Sequence, residues 1–202
     1  MTDLTALVLT CTLSPSPSES SSELLGDQVL AALEKHGVSG ENVRVVDHAV
    51  TFGVQKDMGD GDAWPAIRDK VLAVDILVVA TPIWMGQPAS VAKVVLERLD
   101  AEIAETKENG NPILFDKVAG VAVVGNEDGA HHVSAEVYQG LSDVGFSIPP
   151  QAVTYWVGQA MGSTDYNELD ETPEKTRGTT DTLARVLAHL ARVLKESPYP
   201  AG

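Results

Sequence analysis

Residues 75–80 read Asp-Ile-Leu-Val-Val-Ala, so that five apolar residues follow one another without a polar interruption. A strand with one face in solvent alternates apolar and polar residues, whereas a strand that is covered on both faces is apolar throughout. β-Branched residues such as Ile76, Val78 and Val79 also favour strand over helix. The stretch therefore predicts a central strand of a parallel sheet that helices cover on both sides.

The same kind of signal recurs along the chain and alternates with helical periodicity. Predicted strands cover residues 4–10, 43–47, 75–80, 118–124 and 152–157. Predicted helices cover residues 21–36, 62–72, 88–105, 130–144 and 173–195, each with apolar residues at a spacing of three or four. Regular β–α alternation predicts an α/β, three-layer doubly wound fold with a five-stranded parallel sheet. Neither a repeat nor a glycine-serine linker divides the chain, so we expect a single domain over residues 1–202.

Composition and charge exclude several classes of protein. The chain has 44% apolar and 21% charged residues, which is ordinary for a globular protein, and 14 Lys and Arg against 29 Asp and Glu give a net charge of −15. We therefore expect no nucleic-acid partner, because phosphate backbones require clustered cations. The apolar stretch 71–84 is interrupted by Asp75 and is shorter than the roughly 20 residues of a spanning helix, so we expect no membrane insertion. The N-terminus shows no secretory signal, which favours a cytoplasmic location.

The loop after the first strand is rich in hydroxyl groups. Residues 14–22 contain six serines and two prolines and lead into a predicted helix start. Free amides and the positive dipole end of a helix bind phosphate, and hydroxyls add donors. The alternative is a simple helix cap, since Ser20 and Glu23 match a capping box. Glu19 and Glu23 would place negative charge near a phosphate, and Cys11, the one cysteine, is expected to be a buried structural thiol.

The loop after the third predicted strand is unusually apolar for a surface turn. It reads Thr-Pro-Ile-Trp-Met-Gly-Gln-Pro over residues 81–88. Loops at strand ends are normally polar and exposed, so Trp84 and Met85 suggest a wall for a flat, largely apolar ligand. The alternative is that Trp84 packs against the core or against a partner subunit.

The loop after the fourth predicted strand places two glycines around a polar triplet. It reads Gly-Asn-Glu-Asp-Gly over residues 125–129, and such glycines indicate a backbone that approaches a ligand closely. His131 and His132 follow, but neighbouring residues point to different sides of a helix, so a metal site is not expected. A second glycine-containing stretch, residues 57–62, carries three aspartates without the spacing of a calcium loop and is expected to be a flexible acidic loop.

Together these loops resemble those of the flavodoxin-like NAD(P)H-dependent FMN reductase family, which includes quinone and azo-dye reductases. The resemblance extends over residues 4–194, and its most specific part is the loop 81–88. It implies a sheet of order 2-1-3-4-5 with FMN at the carboxyl edge of the strands. It also implies three groups of cofactor-binding residues: Thr12, Ser20, Ser21 and Ser22 for the phosphate; Pro82, Ile83, Trp84 and Met85 for one side of the ring; and Asn126, Glu127, Asp128 and Gly129 for a further side.

The resemblance further implies an FMN-dependent NAD(P)H oxidoreductase. Hydride would pass from the nicotinamide to bound FMN and then to a flavin, quinone or similar flat small-molecule acceptor. A shared stacking face predicts ping-pong kinetics, and no acid–base side chain is required for the first half-reaction. Alternatives are a flavodoxin-type electron carrier without a pyridine-nucleotide site and a flavin-free regulatory domain. We expect a homodimer or homotetramer, with Tyr155 and Trp156 near the subunit contact.

Overall fold

A computed structural model describes residues 3–201 of the chain. Its strands are β1 (Leu4–Thr10), β2 (Val38–Arg44), β3 (Ile76–Trp84), β4 (Gln87–Pro88), β5 (Val118–Gly125) and β6 (Val153–Val157). Its helices are α1 (Ser21–Glu34), α2 (Trp64–Ala73), α3 (Ser90–Leu99), α4 (Ala130–Asp143) and α5 (Glu174–Glu196). Short 3₁₀ turns occupy Val45–Asp47, Asp100–Ala104 and Tyr166–Glu168.

The five long strands form one parallel sheet in the order β2-β1-β3-β5-β6. Counted without the two-residue β4, this is the order 2-1-3-4-5, so the predicted flavodoxin-like topology is confirmed. β4 is antiparallel to β3 and pairs Ile83 with Pro88 and Trp84 with Gln87. The strand order reverses between β1 and β3, which is where doubly wound sheets bind their ligands.

Both faces of the sheet are covered, as the run 75–80 predicts. Ile76, Val78 and Ala80 pack on the side of α1 and α5. Leu77 and Val79 pack on the side of α2, α3 and α4. Residues 76–80 have no solvent exposure. A strand in this position has no polar face, which is why its sequence lacks alternation.

Three predicted elements differ clearly from the structure in their bounds, and one of them is β3, which runs on to Trp84 instead of ending at residue 80. β2 covers Val38–Arg44 rather than residues 43–47, because it is an edge strand whose middle residues are exposed and polar. Gly40 lies close to β1, where a Cβ would be 2.6 Å from the Ala6 carbonyl oxygen. The helix predicted over 88–105 begins at Ser90 and ends at Leu99, since β3 runs on into a hairpin before it and a 3₁₀ turn follows it.

The acidic loop before α2 is not a free loop. The side chain of Asp62 is fully buried and accepts hydrogen bonds from Arg98 Nη2 at 2.7 Å and from the amides of Thr51, Met58 and Trp64 at 2.9–3.1 Å. Desolvation opposes the charge, but these donors outweigh it and hold the pKa of Asp62 well below its usual value. Arg98 also donates to the carbonyls of Thr51 and Gln55, so the loop is fastened to α3.

Candidate functional site

A cleft opens where β1, β3 and β5 end. Its volume is about 760 Å³, including the part that is open to solvent. It is lined by Thr12, Leu13, Ser14, Glu19, Ser20, Ser21, Ser22, Pro82, Ile83, Trp84, Val124, Gly125, Asn126, Glu127, Trp156, Asp165, Tyr166 and Asn167. Nine of the twelve predicted binding residues line this cleft, and the other three, Met85, Asp128 and Gly129, do not. The size suits a small-molecule ligand.

The serine-rich turn delivers free donors to one end of the cleft. Ser20 caps α1, and its Oγ accepts from the amide of Glu23 at 3.3 Å and lies 3.1 Å from Ser22 Oγ. The amides of Ser21 and Ser22, in the first turn of α1, have no acceptor among the described residues. Two unpaired amides at the positive end of a helix, among hydroxyls, fit a phosphate group.

Glu23 does not complete the predicted capping box. Its carboxylate binds Arg44, whose Nε is 3.0 Å from Glu23 Oε1, and Arg44 also donates to the carbonyls of Ser14 and Ser18. The charge of Glu23 is thereby neutralised behind the turn rather than presented to the cleft. Arg44 holds the serine-rich turn in place and is not among the residues that line the cleft.

Cys11 and Thr12 shape the bottom of this turn. The Cys11 thiol is fully buried, and burial raises its pKa far above the usual value, so it stays protonated. Its Sγ lies 3.5 Å from the Leu9 carbonyl oxygen. Thr12 Oγ1 accepts from the amide of Ser14 at 3.3 Å. Cys11 is a structural residue, as its place at the end of a buried strand predicts.

A β-hairpin forms the second wall. Met85 and Gly86 have φ values of 53° and 71°, the signature of a type I′ turn that suits two twisted strands. This turn holds Trp84 at the cleft with 53% of its surface exposed, so Trp84 is not a core residue. Met85 is 88% exposed and is not among the residues that line the cleft, so its place beside a ring stays a prediction.

The third wall begins at the end of β5. Asn126 and Glu127 line the cleft, and Glu127 Oε1 accepts from the Met85 amide at 2.7 Å, which joins the two walls. Gly129 lies behind them with a φ of 118°, and a Cβ there would be 2.9 Å from Gly86 Cα. Gly129 is therefore required for the close passage of two backbones, and neither Gly129 nor Asp128 is among the residues that line the cleft.

A fourth wall was not predicted from the sequence. It is the strap, residues 158–172, which connects β6 to α5 and brings Asp165, Tyr166 and Asn167 to the cleft. Asn126 Nδ2 donates to the Gly162 carbonyl at 3.0 Å and to Asp165 at 3.1 Å, and the ring of Tyr166 lies 5.4 Å from that of Trp156. The sequence signal for this wall is the length of the connection between β6 and α5, because an irregular connection of about 15 residues is uncommon unless it is functional.

Among the described residues, the cleft offers an anionic ligand neutral hydrogen-bond donors rather than cationic side chains. No Lys or Arg is among its lining residues in the described part of the chain, and three carboxylates are: Glu19, Glu127 and Asp165. An anionic ligand would be held by amides and hydroxyls. Ile83, Trp84 and Trp156 offer apolar surface for a flat ring. The donor set and the apolar walls therefore fit a flavin mononucleotide.

The two histidines of the first turn of α4 have other contacts. The His131 ring lies 5.3 Å from that of Tyr155, edge to face. His132 Nε2 is 3.1 Å from Gln87 Oε1 and 3.7 Å from Glu136. Across residues 3–201, His, Cys, Asp and Glu side chains form no group of three or more that could hold a metal ion. Nor is any helix of this part of the chain long and apolar enough to span a membrane.

Fold and cleft together define a flavodoxin-like α/β protein with an open cleft at the carboxyl edge of its parallel sheet. The chain belongs to the NADPH-dependent FMN reductase family, whose model matches residues 6–161. This places it in a family of flavin oxidoreductases, as the loop motifs predicted.

Individual relatives extend the likeness to almost the whole chain. Over 206 residues it is 37% identical to the 8-demethyl-8-aminoriboflavin-5'-phosphate synthase of Streptomyces davaonensis, covering 97% of this chain and 80% of that protein. A crystal structure of RosB with the bound intermediate 8-demethyl-8-formylriboflavin-5'-phosphate matches with a TM-score of 0.85 at 36% identity, over 97% of this chain and 82% of RosB. The chain is also 35% identical to part of the divalent metal cation transporter MntH of Mycobacterium bovis, with 95% of this chain covering 29% of that protein.

Proposed function

We propose that this protein is an FMN-dependent oxidoreductase that takes reducing equivalents from NAD(P)H and passes them to a flat acceptor such as a flavin or quinone. The observation that carries the proposal is the pair of unpaired amides of Ser21 and Ser22 at the end of an aromatic cleft. Membership of the NADPH-dependent FMN reductase family supports it.

Each part of the cleft has a role in this proposal. The amides of Ser21 and Ser22 and the hydroxyls of Thr12, Ser20 and Ser22 hold the phosphate, assisted by the dipole of α1. Pro82, Ile83 and Trp84 form one apolar side of the ring site, and Asn126 and Glu127 form another. Met85, Asp128 and Gly129 act through the walls, with the Met85 amide bound to Glu127.

When bound, FMN supplies a ring that accepts a hydride from the nicotinamide and passes two electrons to an acceptor. The protein's part is to bind, orient and shield. The indole of Trp84 lines the cleft and offers its apolar surface to the ring. One open mouth admits one flat molecule at a time, so the nicotinamide has to leave before the acceptor enters.

Spectroscopy and steady-state kinetics test the proposal. Purified protein loaded with FMN and then freed of unbound FMN by gel filtration is expected to absorb near 450 nm, roughly the usual flavin band, and to lose that absorbance under anaerobic NADH or NADPH. Double-reciprocal plots at several acceptor concentrations are expected to be parallel. Intersecting lines would indicate that the nicotinamide and the acceptor are bound at the same time, and they would reject a single shared opening. Bound FMN that NAD(P)H does not bleach would indicate a flavodoxin-type electron carrier instead.

A pair of variants tests whether FMN binds in the cleft. Trp84→Ala removes the apolar wall, and we expect weaker FMN binding by about 1–3 kcal/mol. Phe52→Ala is the matched control, because Phe52 is another exposed aromatic but does not line the cleft. Equal loss in both variants would argue against Trp84 as a wall of the flavin site.

A second candidate function is chemical modification of FMN itself. It is favoured by the 37% identity to 8-demethyl-8-aminoriboflavin-5'-phosphate synthase over 97% of the chain. In that case FMN is a substrate whose 8-methyl group is replaced. Mass spectrometry of FMN after aerobic incubation with the protein and amino donors decides between the two. A product of the mass of 8-demethyl-8-aminoriboflavin-5'-phosphate favours modification, and unchanged FMN together with NAD(P)H oxidation favours the oxidoreductase.

A further inference from the structure

The hydroxyl of Ser21 is already engaged in the structure. Ser21 Oγ donates to Asn167 Oδ1 at 2.6 Å and accepts from the Asn167 amide nitrogen at 3.3 Å. A serine hydroxyl has one hydrogen to donate. As long as that hydrogen is given to Asn167, Ser21 cannot donate it to a phosphate at the start of α1.

Glu19 fixes which way the Asn167 side chain faces. Asn167 Nδ2 donates to Glu19 Oε2 at 3.1 Å. An ionised carboxylate only accepts hydrogen bonds, so the amide group has to turn its NH₂ towards Glu19 and its oxygen towards Ser21. The carboxylate of Glu19 therefore determines that Ser21 is the donor in its bond to Asn167.

We propose that Asn167 is a positioning residue that makes the strap compete with a phosphate for the Ser21 hydroxyl. A phosphorylated flavin gains this donor only by releasing the Asn167 side chain, whereas an unphosphorylated flavin leaves the bond intact. Glu19 and Asn167 thus set the preference of the cleft for FMN over riboflavin. The inference rests on the proposed function, and Asn167 lies beyond residue 161, where the match to the family model ends.

The strap has other anchors, so releasing Asn167 does not require it to leave the cleft. Tyr166 donates its hydroxyl to Gln28 Oε1 at 2.6 Å, and Asn126 donates to the Gly162 carbonyl at 3.0 Å. Neither bond touches the serine-rich turn. Among the strap residues, Asn167 alone should therefore affect the binding of FMN and riboflavin differently. Substitutions that loosen the strap elsewhere should change the binding of both flavins alike.

Parallel titrations with FMN and riboflavin test the inference. The measured quantity is the ratio of the riboflavin Kd to the FMN Kd, taken from flavin fluorescence, since a purely structural defect weakens both flavins and leaves the ratio unchanged. Asn167→Ala is expected to raise this ratio about 3- to 10-fold, the effect of freeing one hydrogen-bond donor. Glu19→Gln is expected to raise it as well. Tyr166→Phe is the matched control and is expected to leave the ratio unchanged.

A double-variant cycle tests the coupling between Glu19 and Asn167. If Glu19 acts through Asn167, the double variant raises the ratio little beyond Asn167→Ala alone. Additive effects would show that Glu19 acts by its own charge and would overturn the coupling. A lower ratio in Asn167→Ala would make Asn167 a direct phosphate ligand and overturn the inference. An unchanged ratio with both flavins still bound overturns it and leaves the proposed function standing, whereas binding of neither flavin to the unaltered protein overturns both.

Discussion

At the scale of single residues, the serine-rich turn presents neutral hydrogen-bond donors to the cleft and keeps the cationic Arg44 behind them. Arg44 is buried behind the serine-rich turn, where it pairs with Glu23 and holds the carbonyls of Ser14 and Ser18. Its guanidinium thus organises the turn, and the hydrogen-bond donors that the turn presents to the cleft are amides and hydroxyls. Such donors bind an anion without a cation in direct contact, in keeping with a chain whose net charge is −15.

Ser21→Asp is expected to weaken FMN binding strongly. A carboxylate a few ångströms from the phosphate would oppose it by about 1–4 kcal/mol at effective dielectric constants of 80 to 20. An aspartate in the first turn of a helix stabilises that helix, so the loss would not arise from unfolding. Ser18→Asp is the control, because Ser18 is exposed and does not line the cleft. Fluorescence titration giving the same FMN Kd for both variants would refute the placement of the phosphate.

Asp62→Asn is expected to lower the free energy of unfolding by about 3–5 kcal/mol, because Arg98 would be left buried without its charged partner. Since the folded pKa of Asp62 is held low, the unfolded chain takes up the proton first, and this contribution is lost as pH falls below the ordinary aspartate value. Urea unfolding at pH 7 and at pH 3 measures both effects. Asp57→Asn, in the same loop but exposed, is the control, and an equal loss there would contradict the role of the buried pair.

At the scale of elements, the hairpin and the loop after β5 brace each other. Glu127 accepts from the Met85 amide, and the backbones of Gly129 and Gly86 pass so closely that a Cβ would not fit. Two walls of the cleft are thus fixed by backbone contacts rather than by large side chains.

Gly129→Ala is expected to lower the free energy of unfolding by about 1–3 kcal/mol, since φ is 118° and the added carbon would lie 2.9 Å from Gly86 Cα. Gly178→Ala is the matched control. Gly178 is an exposed position within α5 with open space around its Cα, where alanine should stabilise the helix by about 0.5–1 kcal/mol. Denaturant unfolding that shows the same sign for both variants would contradict this account.

Elements whose signals are local could be predicted from the sequence, and those that depend on distant partners could not. The apolar runs of β1, β3 and β5 and the cap at Ser20 are visible along the chain, because burial and capping act over a few residues. Edge strand β2 lacks such a run. The pairing of Asp62 with Arg98 spans 36 positions, and the contact of Asn167 with Ser21 spans 146. Nothing in either neighbourhood indicates its partner.

At the scale of the whole molecule, the excess of acidic residues opposes the folded state by mutual repulsion. Subunit association stays a prediction, but the positions of Tyr155 and Trp156 in the fold do not require it. Tyr155 already contacts His131, and Trp156 already lines the cleft beside Tyr166, so neither aromatic needs a partner subunit for cover. Light scattering at micromolar protein concentration measures the mass in solution, and a monomer would reject the expected oligomer.

Added salt is expected to raise the thermal stability. Screening lengths fall from about 30 Å at 0.01 M to about 10 Å at 0.1 M ionic strength, so repulsion across a surface with a net charge of −15 weakens over this range. We expect a rise in Tm of several degrees between these conditions, about equal for NaCl and KCl. A constant or falling Tm in calorimetry would show that attractive surface pairs, such as Lys70–Glu41, outweigh the repulsion.

The lone thiol of Cys11 makes the folded protein inert towards thiol reagents. It is fully buried at the end of β1 in the middle of the sheet, and burial keeps it protonated. A maleimide can therefore modify the protein only when the sheet opens, and the rate of labelling reports global unfolding. For the same reason, a Ser163→Cys variant in the exposed part of the strap would take up a dye at that position alone, without removal of the native Cys11. The dye would then report movement of the strap while the rest of the molecule stays unlabelled.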